Sequence, residues 1–190
     1  KELKKEHVHD PFKKKNCFDC HNAHSSKEAH LSDLKTKDLC LSCHEDIHTQ
    51  VNGANLVHGA LNEVESCLNC HSSHSSDMEK ILKLENVAMC LSCHNEEIES
   101  DTTRNEGIGP HLQEGYSVHG DITEEGCSTC HNSHVSEEHS LLKEAYPEER
   151  YVREVEDKFA LCFRCHSKEL ISVQKSSTAT NYRDGEENLH

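Results

Sequence analysis

Apolar positions along this chain come in short bursts separated by charged and polar stretches. The run "FALCF" at residues 159–163 is among the longest, far short of the roughly 20 residues that a membrane-spanning helix needs. This pattern predicts brief helices across the cysteine-bearing clusters and one longer charged helix over residues 148–162, with Pro147 suited to its first turn. Strands have little support. Residues 95–115, "NEEIESDTTRNEGIGPHLQEG", read as a linker, charged at first and then punctuated by Gly and Pro. The expected fold class is therefore mostly irregular with short α-helices and no substantial β-sheet.

Composition sharpens the picture by what it lacks. Of 190 residues only 33% are hydrophobic and 4% aromatic, with no Trp, and the mean hydropathy is −0.82. A chain so poor in apolar matter does not offset its ordering entropy by side-chain burial alone. The counts that stand out are 12 Cys and 18 His, residues that bind metals and metallated cofactors, and small scaffolds use such groups to replace a missing core. A formal net charge of −15 argues against nucleic acid, whose phosphates need clustered Lys and Arg. Neither membrane insertion nor a small-molecule substrate is expected. Lys1 in place of an initiator Met fits a removed signal peptide.

Every cysteine falls in one of six C-x-x-C pairs, each followed at once by His: "CFDCH" at Cys17, "CLSCH" at Cys40, "CLNCH" at Cys67, "CLSCH" at Cys90, "CSTCH" at Cys127 and "CFRCH" at Cys162. C-x-x-C-H is the signature of c-type haem attachment, in which two thiols add to the two vinyl groups and the next residue becomes an axial iron ligand. The attachment cysteines are then Cys17 and Cys20, Cys40 and Cys43, Cys67 and Cys70, Cys90 and Cys93, Cys127 and Cys130, and Cys162 and Cys165. Zinc also uses C-x-x-C pairs, but zinc gives no reason for a His after each second Cys. Disulfide stapling predicts cysteines scattered between distant segments, and redox C-x-x-C motifs are not used six times in one small chain. The cofactor set that follows is six covalently attached haem c groups, which also supply the missing core.

The six motifs come in three pairs. Each unit opens with "VH", at Val8, Val57 and Val118, continues through C-x-x-C-H-x-x-H-x-S and closes on a second C-x-x-C-H. This is a threefold internal repeat. It divides the chain into residues 1–50, 51–100 and 101–172, the last with the insert "KEAYPEERYVREVEDK", followed by a polar tail at 173–190, all as one haem-packed unit.

The attachment motifs consume His21, His44, His71, His94, His131 and His166 as proximal ligands. The repeat supplies six further histidines for the opposite faces: His9 and His24, His58 and His74, His119 and His134. His24 lies three residues beyond His21, on one side of a helical turn, and cannot reach around a planar macrocycle to the same iron. It should ligate a different haem. The "VH" histidine is assigned here to the first haem of each pair and the "HxxH" histidine to the second. His7 competes with His9, and His30, His48, His111, His139 and His190 read as ordinary surface residues. Met78 and Met89 do not recur. Ligation by two histidines lacks the potential-raising Met, so low potentials are expected.

The three "VH…CxxCHxxHxS…CxxCH" units resemble the doubled C-x-x-C-H family of multihaem c-type cytochromes. Related patterns occur in periplasmic decahaem cytochromes of outer-membrane conduits and in extracellular cytochromes that polymerise into conducting filaments. The resemblance implies covalent haems, each held by two histidines, in a closely stacked chain, and a location outside the cytoplasm, periplasmic or extracellular. The ending "NYRDGEENLH" looks like a C-terminal signature of some members.

The expected function is electron transport without an enzymatic step, with the haems carrying the chemistry and the protein supplying position and potential. Two versions compete: a protomer of an extracellular filament, favoured because a tail without core-forming residues needs another surface to order it, and a soluble periplasmic carrier or conduit subunit. The corresponding partners are identical subunits joined head to tail, with His190 or His7 as candidate ligands in trans, or other redox proteins. A multihaem reductase is the rival from another class, but it needs an open axial position, and here histidines outnumber the positions to be filled.

Overall fold

The computed structural model describes all residues except 1, 100–103, 121, 123–125, 150, 151, 153–156, 176, 181, 182, 189 and 190. Its elements are short. The helices are α1 (Asp10–Lys13), α2 (Thr36–Leu41), α3 (Glu45–Gly53), α4 (Asn86–His94), α5 (Ala160–Phe163) and α6 (Glu169–Ser172), with 3-10 turns between them. The strands are two residues each and pair antiparallel: β1 (His7–Val8) with β3 (Ser75–Ser76), β2 (Leu56–Val57) with β6 (Val135–Ser136), β4 (Ile98–Glu99) with β5 (Arg104–Asn105), and β7 (Arg183–Asp184) with β8 (Glu187–Asn188). The fold is thus irregular with short helices and no substantial sheet. Among the described residues no helix is long and apolar enough to cross a membrane.

The interior is as sparse as the composition implies. Among the described residues the buried hydrophobic ones are Val51, Val135 and Leu142, and no large side chain is fully buried. The polypeptide exposes 14369 Å², against roughly 9,200 Å² for a compact protein of this mass. It is an open framework of turns.

Those turns repeat three times. The first attachment motif of each unit lies on a 3-10 turn, at Cys17–Asp19, Ser66–Asn69 and Cys127–Thr129. A second turn follows at Ala29–Leu31, Glu79–Ile81 and His139–Leu141, tied back by the bridges His21↔Ser32, His71↔Leu82 and His131↔Leu142. Each second turn holds two successive non-glycine residues at positive φ: His30 and Leu31, Lys80 and Ile81, Ser140 and Leu141. That conformation costs roughly 1–2 kcal/mol per residue. The serine of H-x-S secures the turn, since Ser26, Ser76 and Ser136 each donate Oγ–H to the carbonyl of Ser32, Leu82 and Leu142 and accept from the backbone N–H of Glu28, Met78 and Glu138.

Three expectations need correction. The helix over residues 148–162 is not continuous: Glu148 and Glu149 are bends, residues 150, 151 and 153–156 lie outside the described set, and helical turns start only at Asp157–Phe159 and continue in α5. Pro147 therefore starts no helix. Residues 95–115 are not a plain linker. They contain the β4–β5 pair, and Ile108 donates its N–H to the His94 carbonyl at 2.9 Å. Gly107 fits so closely on the Glu96 backbone that a Cβ would stand 2.6 Å from it. The tail also folds back on its own chain. Gly185, at φ 59°, turns β7 into β8, and Asn188 donates from Nδ2 to the carbonyls of Leu170 and Val173, both at 2.9 Å.

Candidate haem-binding sites

In each attachment motif the chain closes one helical turn. The His N–H donates to the carbonyl of the first Cys at 3.0 Å for His21, His71, His131 and His166 and at 3.1 Å for His44. The sixth motif, ending in His94, lies at the end of α4. Residues three and four apart on a helical turn share a face, so the two thiols and the imidazole point to one side. The spacing C-x-x-C-H is the shortest that achieves this.

The histidines then meet in facing pairs. Ring centres lie 6.1 Å apart for His9 and His44, 6.1 Å for His21 and His74, 6.1 Å for His58 and His94, 6.2 Å for His71 and His134, and 6.0 Å for His119 and His166. Every pair joins an attachment-motif histidine to one outside the motifs. Two metal–nitrogen bonds of roughly 2 Å, with the ring radius on either side, give about 6 Å between ring centres. The spacing fits two axial ligands on opposite sides of one iron.

Protonation fits as well. Nδ1 of His21, His71 and His131 lies 3.0, 2.9 and 2.8 Å from the carbonyls of His30, Lys80 and Ser140. These are the first of the two left-handed residues in each turn, so the strained backbone places the acceptor. Nδ1 of His9 and His58 meets the carbonyls of Ser73 and Ser133, both at 3.0 Å. A carbonyl only accepts, so Nδ1 carries the proton and Nε2 the lone pair a metal needs. Carbonyl partners of this kind orient ligating histidines in general. Burial first, and then the facing rings of His94 and His71, hold His58 and His134 below the ordinary imidazole range, which keeps them neutral.

The pairing runs opposite to the expected order. His9, His58 and His119, assigned above to the first motif of their units, face the second: His44, His94 and His166. The "HxxH" histidines His74 and His134 face the first motif of the preceding unit, at His21 and His71. The cause lies in the strand pairs. β1 binds β3 and β2 binds β6, and these ladders continue as the N–H of His9 and His58 donates to the carbonyls of His74 and His134, both at 2.9 Å. The "VH" of each of the first two units is thereby locked to the next unit's H-x-S turn.

Sulfur positions give the order of the sites. Burial raises Cys20, Cys70 and Cys162, and the neighbouring thiols of Cys43, Cys93 and Cys130 respectively add to it. Between units Cys40 donates to Cys67, which pushes Cys40 up and Cys67 down, while burial and Cys127 push Cys90 up to about 12. Neighbours in sequence are neighbours in space along the whole row. None of the 12 cysteines is in a disulfide. Among the described residues no three His, Cys, Asp or Glu side chains converge on a bare metal ion, as tetrahedral zinc requires.

Some placements were not legible in the sequence. Phe12 stacks on His74 with ring centres 4.5 Å apart, and the "VHDPF" motif was its only signal. His139, read as a surface residue, has Nε2 at 2.6 Å from the Tyr146 carbonyl, to which it donates. His7 sits in β1 opposite Ser76, and His190 lies outside the described residues. Among the described residues His24 and His131 face no other histidine ring.

A family model described as the doubled CXXCH motif matches the chain three times, at residues 9–49, 58–99 and 119–170. Each match opens on a "VH" histidine, and together they cover well over half of the chain. No curated protein matches it. The chain belongs to the doubled CXXCH family and is a multihaem c-type cytochrome with covalently bound haem.

Proposed function

We propose that this member of the family carries electrons along a row of six covalently bound haems, each held between two histidines, as a protomer of an extracellular head-to-tail polymer. The observation that carries the reading is the set of five facing histidine pairs at 6.0–6.2 Å. Twelve cysteines anchor the groups, two to each. His21 with His74, His44 with His9, His71 with His134, His94 with His58 and His166 with His119 would hold five of them from both faces. When bound, haem supplies one-electron exchange at iron.

The residues' own work is to fix and enclose. Nδ1–H donation to main-chain carbonyls sets each anchored ring's tautomer and angle. Contacts between the Cys40 and Cys67 motifs, and between Cys90 and Cys127, keep neighbouring attachment sites close across unit boundaries. With a ring on both sides, five sites leave no position for a substrate, which favours electron carriage over reduction of an oxyanion. Attachment of c-type haem outside the cytoplasm supports an extracellular or periplasmic location, with identical subunits or other redox proteins as partners.

A haem count on protein from a host with attachment machinery tests this directly. Six haems per chain, low-spin by electron paramagnetic resonance, are expected. Four or fewer, or a mainly high-spin spectrum, would overturn the reading.

A further inference from the structure

Two rules describe the five histidine pairs. The "VH" histidine of a unit faces the second motif of the same unit, and the "HxxH" histidine of a unit faces the first motif of the unit before it. The first rule closes within the chain. Within residues 1–190 the second leaves two members unmatched, His24 of the first unit and His131 of the last.

Both are built as ligands. His131 donates from Nδ1 to the Ser140 carbonyl as His21 and His71 do to theirs. The turn that carries His24 has the same construction as the turn that carries His134: Asn22 Oδ1 accepts the N–H of His24 at 3.1 Å, and Asn132 Oδ1 that of His134 at 3.2 Å.

What differs is burial. Ser75 and Val135, which follow the paired histidines, are 3% and 7% exposed, while Ser25 in the equivalent position is exposed. Residues 117–118 occupy the register of β1 and β2, yet among the described residues they form no strand pair. Cys17 is exposed and Phe18 is 73% exposed. The equivalent Cys67 and Cys127 are partly covered, where the preceding unit's second motif packs on them. The two ends are the two halves of a junction the chain makes twice inside itself.

We propose that a second copy of this chain completes it. His24 of one copy stands opposite His131 of another and completes that haem site, with residues 25–26 pairing antiparallel to residues 117–118. This rests on the six-haem, head-to-tail reading above and adds the ligand that joins the copies. The contact uses different patches on the two copies, so it is heterologous and does not close on itself.

The test uses haem-loaded protein. Wild type should form polymers that are fully low-spin. His24→Ala should remain single subunits with one haem per chain high-spin, and added imidazole should convert that haem to low-spin without restoring the polymer. His190→Ala should behave as wild type. Polymers of His24→Ala with a fully low-spin spectrum would overturn the ligand assignment and leave the head-to-tail reading standing. A high-spin haem in His190→Ala would overturn the assignment in favour of the tail. Wild type that stays single and fully low-spin at high concentration would overturn both.

Discussion

The turns at residues 21–32 and 71–82 are built alike and live in different surroundings. Both hold two left-handed residues, both seat the motif histidine's Nδ1–H on a main-chain carbonyl, and both are fastened by a serine hydroxyl. Yet Ser75 is buried beneath β1 while Ser25 is exposed. The local sequence is enough to shape the turn. Only a neighbouring unit buries it and gives its second histidine a partner.

The largest way to break this comparison is to remove the haem. Chain made without attachment machinery should lose both turns together. A core that among the described residues buries only Val51, Val135 and Leu142 does not offset about 1.5 kcal/mol of ordering cost per residue. Circular dichroism should show a disordered chain without a cooperative melt, and a sharp melt would mean that the framework stands by itself. Next in size is His74→Ala. It strips the ligand from the His21 site within the chain, so one haem per chain should turn high-spin at every protein concentration, single subunits included. Polymers of this variant that stayed fully low-spin would show that another residue takes the face opposite His21.

Serine deletions act more gently. Ser76→Ala removes a buried hydroxyl and leaves the half-buried Leu82 carbonyl short of a donor, at a cost of about 1–3 kcal/mol, measurable as a lowered denaturation midpoint. Ser26→Ala in single subunits should cost less, because Ser26 is only half-buried and water reaches the freed carbonyl more easily; equal losses would show that the two turns are equally enclosed. Smallest is Asp77→Asn, which removes the exposed Lys5 contact at 2.6 Å. Its effect should vanish in high salt, where exposed pairs are screened.

Much of the site is legible in the sequence because its chemistry forces a spacing. Two thiols and an imidazole on one side of a helical turn need C-x-x-C-H, and H-x-x-H cannot serve one iron from both faces. The direction of donation between units is not legible there. His74 lies three residues from its own motif histidine and the sequence gives no distance to His21, which β1–β3 pairing alone decides. The left-handed turns are hidden too. His30, Lys80 and Ser140 share no residue type, since what is used is a carbonyl that any residue carries. The tail at 173–190 looks unable to order itself because it is mostly polar, but Asn188 holds it through hydrogen bonds to the main chain.

One regularity in the rings bears on energetics. In the pairs His21 with His74, His44 with His9, His71 with His134 and His94 with His58, one ring is moored through Nδ1 to a main-chain carbonyl: His21, His9, His71 and His58. Such mooring raises ligand basicity, and ligand basicity helps set iron potential. Four consecutive sites therefore receive the same push, now from the motif side and now from the other. An electron crossing them should meet a nearly level track, on which the slope of the current, and even its direction, is dictated by whatever touches the two ends.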